Sequence, residues 1–396
     1  MKRKPVLWIF TELFYPDETS TAYILGEIAL AAAEDHEVKV VTGPVGYSKE
    51  LINSDIIHKL GSLQIDRVKI PSFNKDKLIG RLLRFIFLSV SMSFRFMKNV
   101  RRNDKVVIVT NPAPLMLTIA VLNRLRRART YLIVHDVFPE NLVAANLSKK
   151  NSLYAFIKWG YDKAYRSYDK ILVLGRDMKE IILQKIGATN GEKVIIVENW
   201  GDDATIYPKA TEKYNSFRDD RISFVFAGNI GRVQGLDRLV NSFAKFQDSI
   251  TLTLIGNGAY RGALKAIVEE KQLSNIHFID PLPRAEQVNF INSFDISIVS
   301  LDMKMYGLGV PSKTYNILVA GKPILYVGPE GSEIDRLIDD YKIIGWSVVN
   351  SNDLEKQLAD IISSKASAFD QENIRKVGLN FSKEAIMKKY KAVLKA

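Results

Sequence analysis

The sequence predicts an α/β protein made of two tandem, doubly wound, Rossmann-like domains that face each other across a cleft. Three observations carry this. Short apolar runs, many of them β-branched throughout, alternate with helix-length segments from end to end, the pattern of parallel strands buried on both faces. The alternation runs twice, interrupted by an aperiodic polar stretch from Asn199-Trp200-Gly201-Asp202-Asp203 to Asp219-Asp220. The 396 residues also exceed what one hydrophobic core ordinarily organises.

Taken in order, Met1-Lys2-Arg3-Lys4-Pro5 is basic and Val6–Phe10 is apolar, which imitates a secretory leader. Glu12 and Tyr15-Pro16-Asp17-Glu18 cut that run too short, so Val6–Phe10 is expected to be a buried first strand. Further strands are expected at Glu37–Thr42, Val106–Thr110, Thr130–His135, Lys170–Val173 and Val194–Val197. A second set is expected at Ser223–Ala227, Leu252–Ile255, Ile276–Phe278, Ile296–Ser300 and Pro323–Val327. The expected division is 1–203 for the first domain and 204–375 for the second, with 376–396 a C-terminal helix returning to the first. No stretch reaches the roughly 20 apolar residues of a spanning helix.

One helix stands apart. From Lys75 to Arg102, the basic residues Lys77, Arg81, Arg84, Arg95, Lys98 and Arg102 fall on one face at helical spacing. Leu78, Leu82, Phe85, Ile86, Val90, Phe94 and Phe96 fill much of the rest. The pattern suits a helix lying on an anionic membrane and equally a core helix with a solvated basic edge. A second basic cluster, Arg124 to Arg129, adds weight to the membrane.

The composition, 47% hydrophobic and 25% charged, is that of a folded globular protein. With no cysteine, the chain has no disulfide, thiol nucleophile or thiolate metal site. The net charge of +12 points to polyanions: nucleic acid, anionic lipid or phosphorylated substrates. No nucleic-acid-binding motif accompanies that charge, so no nucleic-acid partner is expected. The first strand runs into Thr11-Glu12-Leu13 with no G-x-G-x-x-G, against a dinucleotide enzyme, and a Walker loop is absent.

Chemistry concentrates in four loops, each at the end of an expected strand of the second half. They are Gly228-Asn229-Ile230-Gly231-Arg232-Val233-Gln234-Gly235, Gly256-Asn257-Gly258, Phe278-Ile279-Asp280-Pro281-Leu282, and the run Gly307-Leu308-Gly309-Val310-Pro311-Ser312-Lys313-Thr314-Tyr315-Asn316. The last enters a short helix that Gly321 stops. Glycines let backbone approach a ligand, and helix-start N–H groups with Ser312, Lys313 and Arg232 suit phosphate oxygens. In the first half, Val134-His135-Asp136 closes an expected strand and points His135 and Asp136 into the cleft. Glu18 and Thr19 follow the first strand; Glu18 is an acceptor-side candidate or the N-cap partner of the helix beginning near Ser20.

Over its whole length the chain resembles family 4 glycosyltransferases of the GT-B fold, in the branch that makes bacterial surface polysaccharides and lipid-linked oligosaccharides. The resembling residues are Tyr15 to Thr19, Ala227 to Asp237, Ile255 to Gly258, and Val310 to Asn316 with Ala320-Gly321-Lys322-Pro323. The resemblance implies a nucleotide-sugar donor in the second domain, an acceptor in the first, and metal-independent transfer that retains the anomeric configuration, with no cofactor. It implies Gly228 and Arg232 near the diphosphate, with Asn229, Gln234, Gly256, Gly258 and Ile279 on the donor side. It also implies Leu308, Gly309, Val310, Ser312, Lys313 and Asn316 around the donor sugar, phosphates and ribose. His135, Asp136 and Arg232 become the catalytic candidates, and Glu18 and Thr19 the acceptor-binding ones. The family's pair of Glu residues, eight apart, reads Leu308 and Asn316 here, and its phosphate-binding Lys reads Gln234. The implied setting is peripheral, on the inner face of the cell membrane. A nucleotide-sugar 2-epimerase of the same fold and a basic nucleic-acid-binding protein are the competing readings.

Overall fold

Two all-parallel sheets organise the chain. The computed structural model describes residues 5–17, 19–45, 60, 61, 63–73, 78–211, 213, 214, 220–364 and 369–395. The first sheet holds β1 (Val6–Thr11), β2 (Glu37–Thr42), β3 (Gln64–Arg67), β4 (Lys105–Val109), β5 (Arg129–Val134), β6 (Lys170–Val173) and β7 (Val194–Ile196), in the order β3-β2-β1-β4-β5-β6-β7. The second holds β8 (Ile222–Ala227), β9 (Ile250–Ile255), β10 (Ile276–Ile279), β11 (Ile296–Ser300), β12 (Ile324–Val327) and β13 (Gly345–Val348), in the order β10-β9-β8-β11-β12-β13. Both orders reverse beside their first strand, at β1/β4 and β8/β11. These are the switch points where open α/β sheets leave a crevice at their carboxyl ends.

The strands sort by parity, as a sheet covered on both faces requires. Trp8 and Phe10 face a core shared with Leu88, Met92 and Phe96 of the helix Leu78–Asn99, whereas Leu7 and Ile9 face the helix Ser20–Ala33. The strands β3 and β13 have no counterpart among the expected ones. Both lie at sheet edges, with β3 alternating exposed and half-buried residues and β13 opening on a glycine.

The helix Leu78–Asn99 corrects one expectation. Lys75 and Lys77 fall outside the described residues. Arg84 is not on a basic outer face: it is buried, its Nε donating to Glu12 Oε1 at 2.9 Å. Arg95 pairs with Asp66 at 2.6 Å. The side away from the sheet is apolar, formed by Leu82, Ile86, Val90 and Phe94, while Phe96 is core. No helix among the described residues is long and apolar enough to cross a membrane.

The chain passes between the sheets twice. It crosses at Asn199–Asp203 and again after the helix Gln371–Leu379, and the crossings touch: the Gly201 N–H donates to the Phe381 carbonyl at 2.9 Å. The last helix, Lys383–Lys395, then lies on Ser20–Ala33. It inserts Ile386, Met387, Tyr390 and Leu394 into the first sheet's core, with Lys383 paired to Glu27 at 2.6 Å and Lys391 to Glu34 at 2.6 Å.

Candidate active site

A cleft of about 770 Å³ opens between the carboxyl ends of the two sheets. Its second-domain wall includes strand-end glycines at positions that exclude a side chain. Gly256 has φ +138°, and a Cβ there would stand 2.0 Å from the Gly228 carbonyl oxygen; Gly228 itself has φ +139°. The Gly228 N–H donates to Ile255 O at 2.9 Å and the Gly256 N–H to Ile279 O at 3.0 Å, which knits the ends of β8, β9 and β10 together. Gly228, Asn229, Gln234 and Gly256 therefore line the cleft, with Gly309, Val310, Ser312, Lys313 and Asn316 beside them. Gln234 braces its own loop by accepting the Gly231 N–H at 3.0 Å.

Lys313 opens the helix Lys313–Val319. Its Nζ lies 3.5 Å from the centroid of the Phe226 ring, and no carboxylate or hydrogen-bond acceptor is paired with it among the described residues. Burial without a counter-charge lowers its pKa to about 7. It is a lysine held over an aromatic face on the lining of the cleft.

The opposite wall comes from the end of β5. The Thr110 hydroxyl oxygen accepts the N–H of His135 at 3.2 Å and of Asp136 at 3.3 Å, which fixes both residues at the cleft. Burial holds His135 down at about 4, so its ring is neutral near pH 7, and its Nε2 has no partner among the described residues. Asp136 is exposed at the cleft, and the cleft walls crowding around it push its carboxyl up to about 6. Thr19 also lines the cleft and caps Ser20–Ala33, accepting the Ala22 N–H at 3.2 Å; Glu18 lies outside the described residues.

Four expected site residues do not line the cleft. Arg232 is exposed at the first residue of a short 3₁₀ turn. A Cβ at Gly258 would stand 2.3 Å from the Ile230 carbonyl, so this glycine serves loop packing. Ile279 turns into a small core beside Leu282, leaving Pro281 and Leu282 on the wall. Leu308 is buried in the core that spans both domains, its carbonyl accepting the Val137 N–H at 3.1 Å. It belongs to a seam in which the Gly307 N–H donates to Asp177 Oδ2 at 3.2 Å. There Arg176 also pairs with Glu333 at 3.1 Å and with Asp340 at 2.7 Å.

Tyr23 and Arg284 line the cleft without having been singled out in the sequence. The Arg284 guanidinium stacks 3.5 Å from the Tyr23 ring, and both reach Asp202: the Tyr23 hydroxyl donates at 2.7 Å and Arg284 pairs at 3.5 Å. Asn316 fastens the same crossing, its Oδ1 accepting the Asp202 N–H at 2.9 Å while its Nδ2 donates to Gln287 at 3.3 Å. The only sequence signal for Arg284 is a cation placed directly after Pro281-Leu282-Pro283. Among the described residues, no three His, Asp or Glu side chains converge as a metal site would need.

Comparison with known proteins agrees with this architecture. A family model described as "Glycosyl transferases group 1" matches residues 209–377, the second sheet and its helices. The chain is 34% identical over 286 residues to "Probable glycosyltransferase WbjE" of Pseudomonas aeruginosa, covering 70% of each. It is 22% identical over 350 residues to WcaI of Escherichia coli K12, named for colanic acid biosynthesis, covering 83% of this chain and 84% of that one. Sucrose-phosphate synthase from Thermosynechococcus elongatus superposes with a TM-score of 0.77 at 14% identity, over 99% of this chain and 98% of that one. The chain belongs to the group 1 glycosyltransferases and has the GT-B fold.

Proposed function

From that membership, we propose that this glycosyltransferase is a retaining, metal-independent family 4 enzyme. It moves a hexose from a UDP- or GDP-type nucleotide sugar to a lipid-linked saccharide, in bacterial surface-polysaccharide assembly at the inner face of the cell membrane. The observation that carries the reading is Lys313, unpaired among the described residues, beside the strand-end glycines Gly228 and Gly256 on a cleft that His135 and Asp136 also line. The name of the WcaI relative supports the polysaccharide setting.

In this reading the diphosphate lies on the Gly228 and Gly256 loops with Lys313 beside it. Charge that develops on the leaving diphosphate, as its bond to the anomeric carbon breaks, meets a cation already in place. Pro281 and Leu282 flank the base. Asn316 holds the ribose with the amide capacity left over from Asp202 and Gln287. Neutral His135 hydrogen-bonds the donor sugar, and Asp136 orients the acceptor hydroxyl, whose oxygen forms the new bond and whose proton passes to the departing phosphate oxygen. Closure of the walls around the sugar keeps water from competing.

The test is a thermal-shift panel of UDP-, GDP- and other nucleotide sugars, followed by NMR of the anomeric proton of the product. A raised melting temperature with one donor and retention in the product are expected. Stabilisation by none overturns the reading, and isomerised donor in the absence of acceptor assigns the cleft to a 2-epimerase instead.

A further inference from the structure

The helices Leu78–Asn99, Ala113–Arg126 and Ser152–Ser167 stand side by side over one face of the first sheet. Of the 18 large apolar side chains exposed among the described residues, 13 lie on these three helices. On the first, Leu82, Ile86, Val90 and Phe94 form a stripe at four-residue spacing, with Ile79, Leu83 and Phe87 beside it; Val90 is 62% exposed. The second adds Val121 and Leu125, and the third adds Leu153, Phe156, Ile157 and Trp159. Apolar surface on this scale marks a docking site.

The charges around it name the partner. The first two helices contain no Asp or Glu. Arg81, Lys98, Arg101 and Arg102 are exposed on the first or just past it, and Arg124 and Arg127 at the end of the second. The one acid of the third helix, Asp162, is engaged by Lys158 at 2.6 Å and Lys185 at 2.7 Å. Trp159 stacks on Phe156 with centroids 5.8 Å apart, and Lys163 Nζ stands 3.9 Å from its ring. Such rings with a cation at their edge suit the headgroup boundary of a bilayer. A second copy of the chain would set the same cations against one another across a two-fold axis, with no acid on the first two helices to meet them.

We propose that this three-helix face docks on an anionic lipid bilayer, its apolar side chains entering the acyl boundary while its arginines and lysines meet lipid phosphates. The docking stands on exposure and charge alone. Its consequence for the cleft rests on the transfer reading above. The helix Leu78–Asn99 starts at the carboxyl edge of the sheet, where Arg84 reaches Glu12 just past β1, so the docked face holds the cleft mouth beside the membrane that would carry a lipid-linked acceptor.

Cosedimentation of the full chain with vesicles tests this, using phosphatidylcholine alone and phosphatidylcholine with about 30% phosphatidylglycerol. Binding to the anionic vesicles is expected to be at least about tenfold tighter than to the neutral ones and to weaken with salt. The double variant Val90→Glu, Phe94→Glu is expected to lose at least about tenfold, while Ile343→Glu, an exposed apolar site on the second domain, binds like wild type. Unchanged melting temperatures establish that both variants fold, and Trp159 emission shifts blue on anionic vesicles, a change lost in Trp159→Phe. Wild type that binds neither vesicle, or a double variant that binds equally well, overturns the proposal. A dimer that Val90→Glu dissolves, with no vesicle binding, gives the face to a second copy. Vesicle binding by a chain that binds no nucleotide sugar keeps the docking and removes the transfer reading.

Discussion

Among the described residues, the second-domain wall of the cleft holds a lysine, Lys313, on an aromatic ring with no carboxylate paired to it, whereas the first-domain wall holds a carboxylate, Asp136, with no cation paired to it. Each charge is shifted toward neutrality by the same cause, desolvation, and in opposite directions: Lys313 down to about 7 and Asp136 up to about 6. A protein built only for stability would pair them. Keeping them apart leaves each wall incomplete until something fills the gap, an anion on one side and a hydroxyl donor on the other.

The largest effect expected from breaking this division is at Asp136. Asp136→Ala is expected to lower kcat about 100-fold or more through a misplaced acceptor, with donor affinity within about threefold of wild type. If isothermal titration shows donor affinity falling instead, the walls do not divide the work. Leu308→Ala attacks the seam between them and is expected to cost about 2–3 kcal/mol in denaturant unfolding without changing nucleotide affinity. Lys313→Met is expected to weaken nucleoside diphosphate binding about 10- to 100-fold. An anion favours charged Lys313, so affinity is full below pH 7 and declines above it, with proton uptake on binding measurable in buffers of different ionisation enthalpy. The kcat/KM profile should then rise near pH 6 as Asp136 ionises and fall above about 7, and saturating donor should move only the falling limb, upward. The smallest effect is expected at the exposed Arg232. There Arg232→Ala should cost about threefold, mostly in association rate, and the loss should fade with salt.

What the sequence made legible follows from how local each signal is. The nine interior strands announced themselves because burial on both faces demands largely apolar runs. Edge strands such as β3, with one side in water, make no such demand. The glycine loops were legible because close backbone approach admits no other residue, and Lys313 because it sits at a helix start. The burial of Leu308 was not legible because spacing along a loop does not say which side a residue faces, and the same loop lines the cleft with Gly309 and Val310 while burying the Leu308 side chain. Arg84 was misread because its partner Glu12 lies 72 residues away. Tyr23 and Arg284 become neighbours only when the two domains meet at Asp202, a contact no local pattern encodes.

The helix Lys383–Lys395 also sets an order of events in time. Its Ile386, Met387, Tyr390 and Leu394 close a core that also holds Leu7, Ile9 and side chains of the helix Ser20–Ala33, which are synthesised before the whole of the second domain. That surface stays uncovered while the whole second domain is made, and it is sealed only once residue 394 has left the ribosome. The domain whose sheet is translated first is therefore completed after the other, and part of its apolar core stays open to water until then.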